Sequence, residues 1–173
     1  MSKDLFNLKG QIALVTGASY GIGMALAKAF AHAGATIVFN DLFPEKVKSA
    51  LEIYKSEGIN AHGYAFDVTN EEEVKSYIEK ITHEVGPVTI LCNNAGIIKR
   101  IPALEMSASE FREVIEVDLT GAFIMSKTVA PGMIKNGGGK IINICSMMSE
   151  LGRETVSAYA SAKGGLKMLT KNL

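Results

Sequence analysis

Tyr159 and Lys163 lie four residues apart in the segment YASAKGG, which otherwise has the pattern of an amphipathic helix. Four residues make about one helical turn, so the two side chains share a face of that helix. A tyrosine with a pKa of about 10 is a poor acid–base catalyst at neutral pH, but a nearby ammonium favours the phenolate. The pair therefore indicates either a surface contact or a tyrosine prepared to exchange a proton with a reacting oxygen.

A serine precedes this pair. Ser146 ends the apolar segment KIINICS, which has the composition of a buried strand. A strand end and the helix after it can bring Ser146, Tyr159 and Lys163 to one edge of a sheet, where the serine would hydrogen-bond the reacting oxygen. Each of these residue types is common on helices, so the prediction of an active site depends on the whole group.

A glycine-rich turn, T-G-A-S-Y-G-I-G at 16–23, follows the first apolar segment and precedes a helical pattern. Glycines let the backbone approach a pyrophosphate, and the start of a helix offers free N–H groups and a positive dipole. A tight turn that needs positive φ is the alternative. Because of its position between strand and helix, we predict that the turn binds a dinucleotide through Gly17, Ser19, Tyr20, Gly21, Ile22 and Gly23.

Polar and small residues end the next three predicted strands. Asp41, followed by Leu42, can accept hydrogen bonds from the adenosine ribose, and its charge would repel a 2′-phosphate and favour NAD. Asp67, followed by Val68, could contact the adenine edge. Both carboxylates could instead be ordinary loop acids. At the end of the fourth strand, passage of a cofactor ribose suits Asn94, Ala95 and Gly96.

Five alternations of strand and helix are predicted to position these residues. The strands fall in QIALVTG, TIVFND, AHGYAFDV, VTILCNNAG and KIINICS. Because they are apolar on both faces, they indicate a parallel sheet covered by helices on both sides. Right-handed crossovers then give a doubly wound α/β sheet of the Rossmann type. No linker or composition shift divides the chain, so we predict one domain over residues 1–173.

The last two helices and the end of the chain carry further expectations. A capping box, Ser107 with Glu110, opens a long helix that Gly121 and Pro131 are expected to bend. The final helix ends the chain without a sixth strand. We therefore expect a chain truncated after the fifth β-α unit, with an unpaired apolar edge on its sheet.

The composition excludes several classes of function. Lysine plus arginine equals aspartate plus glutamate at 18 each, which gives no reason to expect a nucleic-acid or membrane partner. No apolar run approaches the length of a membrane span, and no signal peptide is seen. Cys92 and Cys145 both fall in predicted buried strands, which favours a reducing cytoplasm. The three histidines lack metal-ligand spacing, so no metal is predicted.

Three motifs in this order resemble the short-chain dehydrogenase/reductase family: T-G-x-x-x-G-I-G at 16–23, N-N-A-G at 93–96, and Ser146 with Y-x-x-x-K at 159–163. The resemblance implies a Rossmann sheet, an NAD(P)(H) cofactor, reversible alcohol–carbonyl oxidoreduction and a homo-oligomer. By it, Tyr159 would be the acid–base residue in contact with substrate and cofactor. Lys163 would bind the nicotinamide ribose and tune the tyrosine, and Ser146 would position the substrate.

A narrower resemblance covers residues 142–170 and the opening DLFNLKGQIALVTG, and it is to family members that act on a sugar acid. A sugar acid needs a cation for its carboxylate, and Arg100 follows the N-N-A-G turn. Arg153 and Glu150 follow Ser146 and could contact carboxylate or hydroxyls, although all three could be solvated loop charges. The alternatives are another alcohol or ketone substrate (3-oxoacyl, steroid or polyol) and a non-catalytic dinucleotide-binding fragment.

The chain departs from the family in ways that affect chemistry. Where the family usually has an asparagine that holds a water in a proton relay, this chain has Asp118, which adds a negative charge. Two further strands and a substrate-covering loop of the family do not follow residue 173. The cofactor indications conflict, because Asp41 and the absence of a cation at Tyr20 favour NAD(H) while the narrower resemblance favours NADP(H). We therefore predict NAD(P)(H).

Overall fold

The computed structural model describes residues 6–173, in which five strands alternate with helices. The strands are β1 (Ile12–Val15), β2 (Thr36–Asp41), β3 (Ala61–Ala65), β4 (Ile90–Asn93) and β5 (Lys140–Asn143). The helices are α1 (Gly21–His32), α2 (Pro44–Ser56), α3 (Glu71–Glu84), α4 (Ala108–Ile115), α5 (Gly121–Lys135) and α6 (Ser157–Asn172). A π-helical turn, Glu116–Thr120, joins α4 to α5, and a 3₁₀ turn, Met147–Ser149, precedes α6.

All strand pairs are parallel, and the strand order is β3-β2-β1-β4-β5. The order reverses at β1, from which the chain first builds outward through β2 and β3 and then returns to add β4. A crevice forms outside the carboxyl ends of the strands at such a reversal. The predicted doubly wound sheet is confirmed.

Each face of the sheet buries its own apolar cluster. Alternate residues of β1 point to opposite faces, so Ala13 and Val15 pack with α1 and α2, whereas Leu14 packs with α3 and α5. Burial on both faces explains why the central strands are apolar throughout. A third, smaller cluster joins α4 to α6 around Val114, Ala158 and Ala162.

The predicted long helix is present, and it contains a π-helical turn. The capping box of Ser107 and Glu110 opens α4 as expected, and the backbone stays helical through the π-helical turn into α5, which begins at Gly121. A Cβ at Gly121 would lie 2.8 Å from Val68 Cγ2, so glycine is required for close packing rather than for a bend. Pro131 lies inside α5, and the helix continues past it to Lys135.

The end of the fifth strand also differs from the prediction. β5 ends at Asn143, so Cys145 and Ser146 follow the strand instead of belonging to it. Cys92 is buried in β4, where burial raises the pKa of its thiol to about 11, but Cys145 is only half-buried. β5 is an edge strand with an alternately exposed pattern because no described strand pairs with its outer side. Within residues 6–173, no helix is long and apolar enough to cross a membrane.

Candidate active site

A cleft with a volume of about 500 Å³ opens at the carboxyl ends of β1 to β4. It contains most of the residues predicted to bind a cofactor. Those that line it are Gly17, Tyr20, Gly21, Ile22, Gly23, Asp41, Leu42, Asp67, Val68, Asn94, Ala95 and Gly96. Of the predicted set, Ser19, Tyr159 and Lys163 lie outside this lining.

The glycine turn is shaped so that only glycine fits. Gly17 and Gly21 have φ values of 64° and 59°, which side chains rarely adopt. A Cβ at Gly23 would lie 2.5 Å from both the Gly17 carbonyl oxygen and Asn94 Nδ2. The turn therefore presents bare backbone and the start of α1 to the cleft, which suits a pyrophosphate. Behind it, the Oγ of Ser19 is buried and has no hydrogen-bond partner within residues 6–173.

The ends of β1 and β4 are tied together by side-chain hydrogen bonds. Thr16 Oγ1 accepts bonds from the backbone N–H groups of Asn94 and Ala95, each at 3.0 Å. Asn94 Nδ2 donates to the carbonyl oxygens of Thr16 and Gly17 at 2.9 and 3.1 Å. These bonds hold the glycine turn against the N-N-A-G turn, so the amides fix the shape of the cleft floor.

The acidic residues of the cleft are already engaged in local turns. Asp41 is 7% exposed, and its Oδ1 accepts a hydrogen bond from Phe43 N–H at 3.3 Å. Asp67 Oδ1 accepts bonds from the N–H and the hydroxyl of Thr69, both at 2.8 Å. Asn40, which was not predicted, accepts from Gly17 N–H at 3.2 Å and links β2 to the glycine turn.

Lys163 lies at the centre of the second half of the site. Its side chain is almost completely buried, at 4% exposure, and its Nζ donates to the Ile144 carbonyl oxygen at 3.0 Å. The same Nζ lies 3.3 Å from Asp118 Oδ2 and 5.6 Å from the centroid of the Tyr159 ring. Tyr159 and Lys163 therefore share a face of α6, and α6 brings them to Asp118 on the π-helical turn.

Asp118 is a buried carboxylate with one firm hydrogen bond. Its Oδ1 accepts from Ile97 N–H at 2.7 Å, and a Cβ at Gly96 would lie 2.8 Å from its Oδ2. Burial raises the pKa of Asp118 above its ordinary value of 3.8, and the Lys163 charge and the Ile97 bond oppose that rise. The π-helical turn places Asp118 beside Lys163, and such turns are frequent at functional sites.

Ser146 begins the 3₁₀ turn that leads to α6. Its Oγ accepts a hydrogen bond from Met148 N–H at 3.1 Å, and its own N–H donates to Ser149 Oγ at 3.2 Å. The turn packs against α6, where a Cβ at Gly164 would lie 3.9 Å from the Ser149 carbonyl oxygen. Ser146 is therefore held near the helix that carries Tyr159 by its local turn rather than by β5.

The three charged residues predicted to bind substrate are all exposed, on two loops. Arg100 and Arg153 make no side-chain hydrogen bond or ion pair with any residue of the described range 6–173, whereas Glu150 pairs with Lys167 of α6. That pairing lowers the pKa of Glu150. The two arginine loops meet where Ile101 N–H donates to the Thr155 carbonyl oxygen at 2.9 Å.

Several residues of the cleft were missed by sequence reasoning. The additional lining residues are Asn40, Phe43, Lys46, Phe66, Ile97 and Val117. Phe43 and Lys46 could have been found, because Pro44 marks the start of α2 and puts Lys46 in its first turn, next to Asp41. Val117 and Ile97 depend on the π-helical turn, which has no signal in the sequence. Among residues 6–173, no group of three or more potential ligands could hold a metal ion.

The chain belongs to the short-chain dehydrogenase family, since the family model described as short chain dehydrogenase matches residues 11–173. The family consists of NAD(P)-dependent oxidoreductases that act on CH–OH groups. The resemblance expected from the three motifs and the NAD(P)(H) cofactor expected for that class are thereby confirmed.

Two curated relatives carry names that concern sugar acids. The chain is 58% identical over its whole length to a 2-dehydro-3-deoxy-D-gluconate 5-dehydrogenase of Formosa agariphila, of which it covers 66%. It is 43% identical to a 5-keto-D-gluconate 5-reductase of Escherichia coli, with 98% of this chain and 67% of that protein covered. The chain thus spans about two thirds of the length of these relatives.

Two solved structures share the fold and have related names. A 2-keto-3-deoxy-D-gluconate dehydrogenase from Streptococcus agalactiae is 64% identical, with a TM-score of 0.82 over 96% of this chain and 63% of that one. A gluconate 5-dehydrogenase from Burkholderia cenocepacia, in complex with NADP and tartrate, is 42% identical, with a TM-score of 0.92 over 96% and 66%. The high TM-scores confirm the Rossmann-type architecture.

Proposed function

We propose that this chain, a single nucleotide-binding domain, carries the active site of a reductase that interconverts a hydroxyl and a keto group on a sugar acid. The observation that carries the proposal is the Lys163 ammonium, buried between Asp118 and the Tyr159 ring, beside a cleft built for a dinucleotide. Besides tying α6 to Ile144 and Asp118, the buried ammonium places a positive charge beside the half-buried phenol of Tyr159.

The chemistry assigned to the residues is proton transfer at one oxygen of the substrate. When bound, NAD(P)(H) supplies or accepts the hydride. In reduction, Tyr159 gives its proton to the carbonyl oxygen, and in oxidation it takes that proton back. Ser146 hydrogen-bonds the same oxygen, while Lys163 favours the phenolate that remains after proton transfer.

The substrate class is supported by free cations on the loops beside the site. A carboxylate binds an arginine in a bidentate way, and both Arg100 and Arg153 are exposed and unpaired within residues 6–173. We favour 2-dehydro-3-deoxy-D-gluconate, because the two relatives named for this compound are 58% and 64% identical. Interconversion of D-gluconate and 5-keto-D-gluconate, to which residues 142–170 pointed, is the second candidate, supported by relatives at 43% and 42%.

A spectrophotometric assay tests the proposal. The purified chain is given 2-dehydro-3-deoxy-D-gluconate or D-gluconate with NAD or NADP, and 5-keto-D-gluconate with NADH or NADPH. Acetoacetyl thioester serves as a control, since a 3-oxoacyl reductase is 40% identical to this chain. We expect the highest kcat/KM with 2-dehydro-3-deoxy-D-gluconate. A preference for the thioester over every sugar acid would contradict the substrate class.

A different class of function has one observation in its favour. β5 leaves one side of the sheet unpaired in the described residues. A non-catalytic dinucleotide-binding module would bind cofactor yet turn over none of these substrates. Measuring cofactor binding beside the assay separates this alternative from the proposed reductase.

Assembly and location complete the proposal. We propose a homo-oligomer formed through α5 and α6, which expose the apolar side chains of Phe123, Ile134 and Met168. Light scattering of the purified chain at several concentrations tests it. The cytoplasm stays the predicted location, and it agrees with two cysteines that are unpaired.

A further inference from the structure

Thr155 has a backbone conformation that threonine rarely adopts. Its φ is 65°, and among residues 6–173 it is the only residue other than glycine with a positive φ. A branched Cβ crowds the backbone in this left-handed region, so the conformation persists only where surrounding contacts hold it. Strain of this kind clusters at binding and catalytic sites, and the surroundings of Thr155 show what it does here.

Thr155 lies between a predicted substrate residue and the start of α6. It follows Arg153 by two residues and precedes Tyr159 by four. The chain is fixed on the C-terminal side of Thr155, because Val156 is 1% exposed and its carbonyl oxygen accepts the Ala160 N–H at 2.8 Å. A rotation of the backbone at Thr155 therefore moves the Arg153 segment and leaves Tyr159 in place.

The left-handed turn directs the Thr155 carbonyl oxygen at the other arginine loop. This oxygen accepts the N–H of Ile101 at 2.9 Å, and Ile101 directly follows Arg100. Within the part of the chain that the structure describes, the Thr155 hydroxyl makes no hydrogen bond. The conformation is therefore associated with the bond between the two loops and not with a contact of the threonine side chain.

Ion pairs tie each arginine loop to a helix. Lys99, next to Arg100, pairs with Glu113 of α4, and Glu150 pairs with Lys167 of α6. Each pair holds one loop to one helix, and neither pair joins the two loops to each other. The backbone bond at Thr155 is the contact that sets the Arg153 segment against the Arg100 segment.

We infer that Thr155 is a positioning residue, whose strained turn holds the Arg153 and Arg100 segments together so that both arginines bind the carboxylate of one sugar acid. This inference rests on the proposed function. Because threonine resists the left-handed conformation, the two segments are apart in a fraction of the free chains, and that fraction reduces the apparent affinity for substrate. Relief of the strain at this single residue should therefore tighten substrate binding.

The test measures KM and kcat for 2-dehydro-3-deoxy-D-gluconate in two Thr155 variants. Glycine adopts a positive φ without strain, so we expect the KM of Thr155→Gly to fall about fivefold while kcat changes less than about twofold. Thr155→Val keeps the branched Cβ and loses only the hydroxyl, so its KM should stay within about twofold of wild type. The urea midpoint of Thr155→Gly should equal or exceed that of wild type, because the folded chain loses strain.

Leu151→Gly is the matched control. Leu151 lies on the same loop, is 53% exposed and lacks a positive φ. A glycine at this position adds flexibility without relieving strain, so the KM should not fall.

The Arg153→Ala background separates positioning from a general effect on the fold. Without the Arg153 guanidinium there is no second cation to position, so Thr155→Gly should no longer lower the KM in that background. The two substitutions are therefore expected to be non-additive.

Three results would overturn the inference and leave the proposed reductase standing. They are a KM that does not fall in Thr155→Gly, an equal fall in Leu151→Gly or in the Arg153→Ala background, and a strongly raised KM in Thr155→Val, which would assign the role to the hydroxyl. If wild type turns over no sugar acid, the proposed function fails, and the inference fails with it.

Discussion

The cofactor cleft and the arginine loops beside Tyr159 are built in opposite ways. On the floor of the cleft, backbone contacts and side-chain amides fix the glycine turn against the N-N-A-G turn, as the contacts of Gly23 and Asn94 show. On the loops, Arg100 and Arg153 are exposed and unpaired within residues 6–173, and only one backbone bond joins their segments. The first region is specified by packing, whereas the second depends on side chains that can move.

This difference teaches where the specificity of each ligand resides. A cleft fixed by the fold suits a ligand common to a whole family, because changing its shape would disturb the sheet. Exposed loop charges can change without cost to the fold, so they suit the part of the reaction that differs among relatives. Lys163 and Asp118 belong to neither region, and in the proposed function they act on Tyr159.

The largest effect is expected from filling the glycine cradle. In Gly23→Ala, the new Cβ would press on the Gly17 carbonyl and Asn94 Nδ2 at 2.5 Å. We expect the free energy of unfolding to fall by about 1 to 3 kcal/mol and the affinity for NADH and NADPH to fall at least about tenfold. Chemical denaturation and fluorescence titration measure the two quantities.

Gly132→Ala is the control for that substitution. Gly132 lies in α5, and its added Cβ would meet nothing within 4 Å. Alanine should stabilise the helix by about 0.5 to 1 kcal/mol and leave cofactor affinity unchanged. If Gly23→Ala changes stability and cofactor affinity no more than Gly132→Ala does, packing does not fix the cleft, and the contrast between the cleft and the arginine loops is wrong.

The next effect concerns the loops. In Arg100→Ala and Arg153→Ala, we expect the KM for the sugar acid to rise about tenfold with little change in kcat or stability, because charge-assisted hydrogen bonds contribute about 1.5 to 3 kcal/mol. The third arginine, Arg112, lies exposed on α4 and provides the control. If the KM of both variants equals that of Arg112→Ala, neither Arg100 nor Arg153 binds the substrate carboxylate.

A smaller effect is expected from Asp118→Asn, which keeps the acceptor for Ile97 N–H but removes the charge next to Lys163. The loss of this negative charge leaves the Lys163 ammonium unopposed, so the midpoint of the pH–rate profile should move down. The variant should stay active, since the family usually has asparagine there. A midpoint that moves upward would show that the carboxylate does not oppose Lys163.

The pH dependence of the free energy of unfolding provides a second test of the raised pKa of Asp118. Burial raises the pKa of this carboxyl, so the folded chain holds its proton more tightly than the unfolded chain does. That contribution is present below the ordinary pKa of 3.8 and is lost as the pH rises through the raised value. Between these values, the free energy of unfolding should fall more steeply with pH in wild type than in Asp118→Asn, as measured by urea denaturation.

The sequence predicted the sheet and the cleft floor well because both depend on local patterns. Apolar segments separated by helical patterns specify the parallel sheet. The glycines at which backbone segments approach one another closely can be read directly from the sequence. The positions of Gly17, Gly21 and Gly23 therefore indicate a backbone cradle from the sequence alone.

Other features could not be predicted from the sequence because they depend on packing between distant segments. The π-helical turn that buries Asp118 lies where α4 and α5 meet, and no residue type in it predicts a π-helical turn. Ser146 was expected at the end of β5, but the strand ends at Asn143 and a local turn holds the serine instead. The contact of Lys46 with the Tyr20 ring could not be predicted, because it depends on how α2 is oriented relative to the glycine turn.

The central claim is that cofactor binding belongs to the cleft and that chemistry belongs to Tyr159. The most direct test measures turnover of 2-dehydro-3-deoxy-D-gluconate and the Kd of NADH and NADPH in parallel, for wild type and Tyr159→Phe. The account predicts that the variant loses at least about 100-fold in kcat while both Kd values change less than about twofold. A variant that retains most of the turnover would contradict the account.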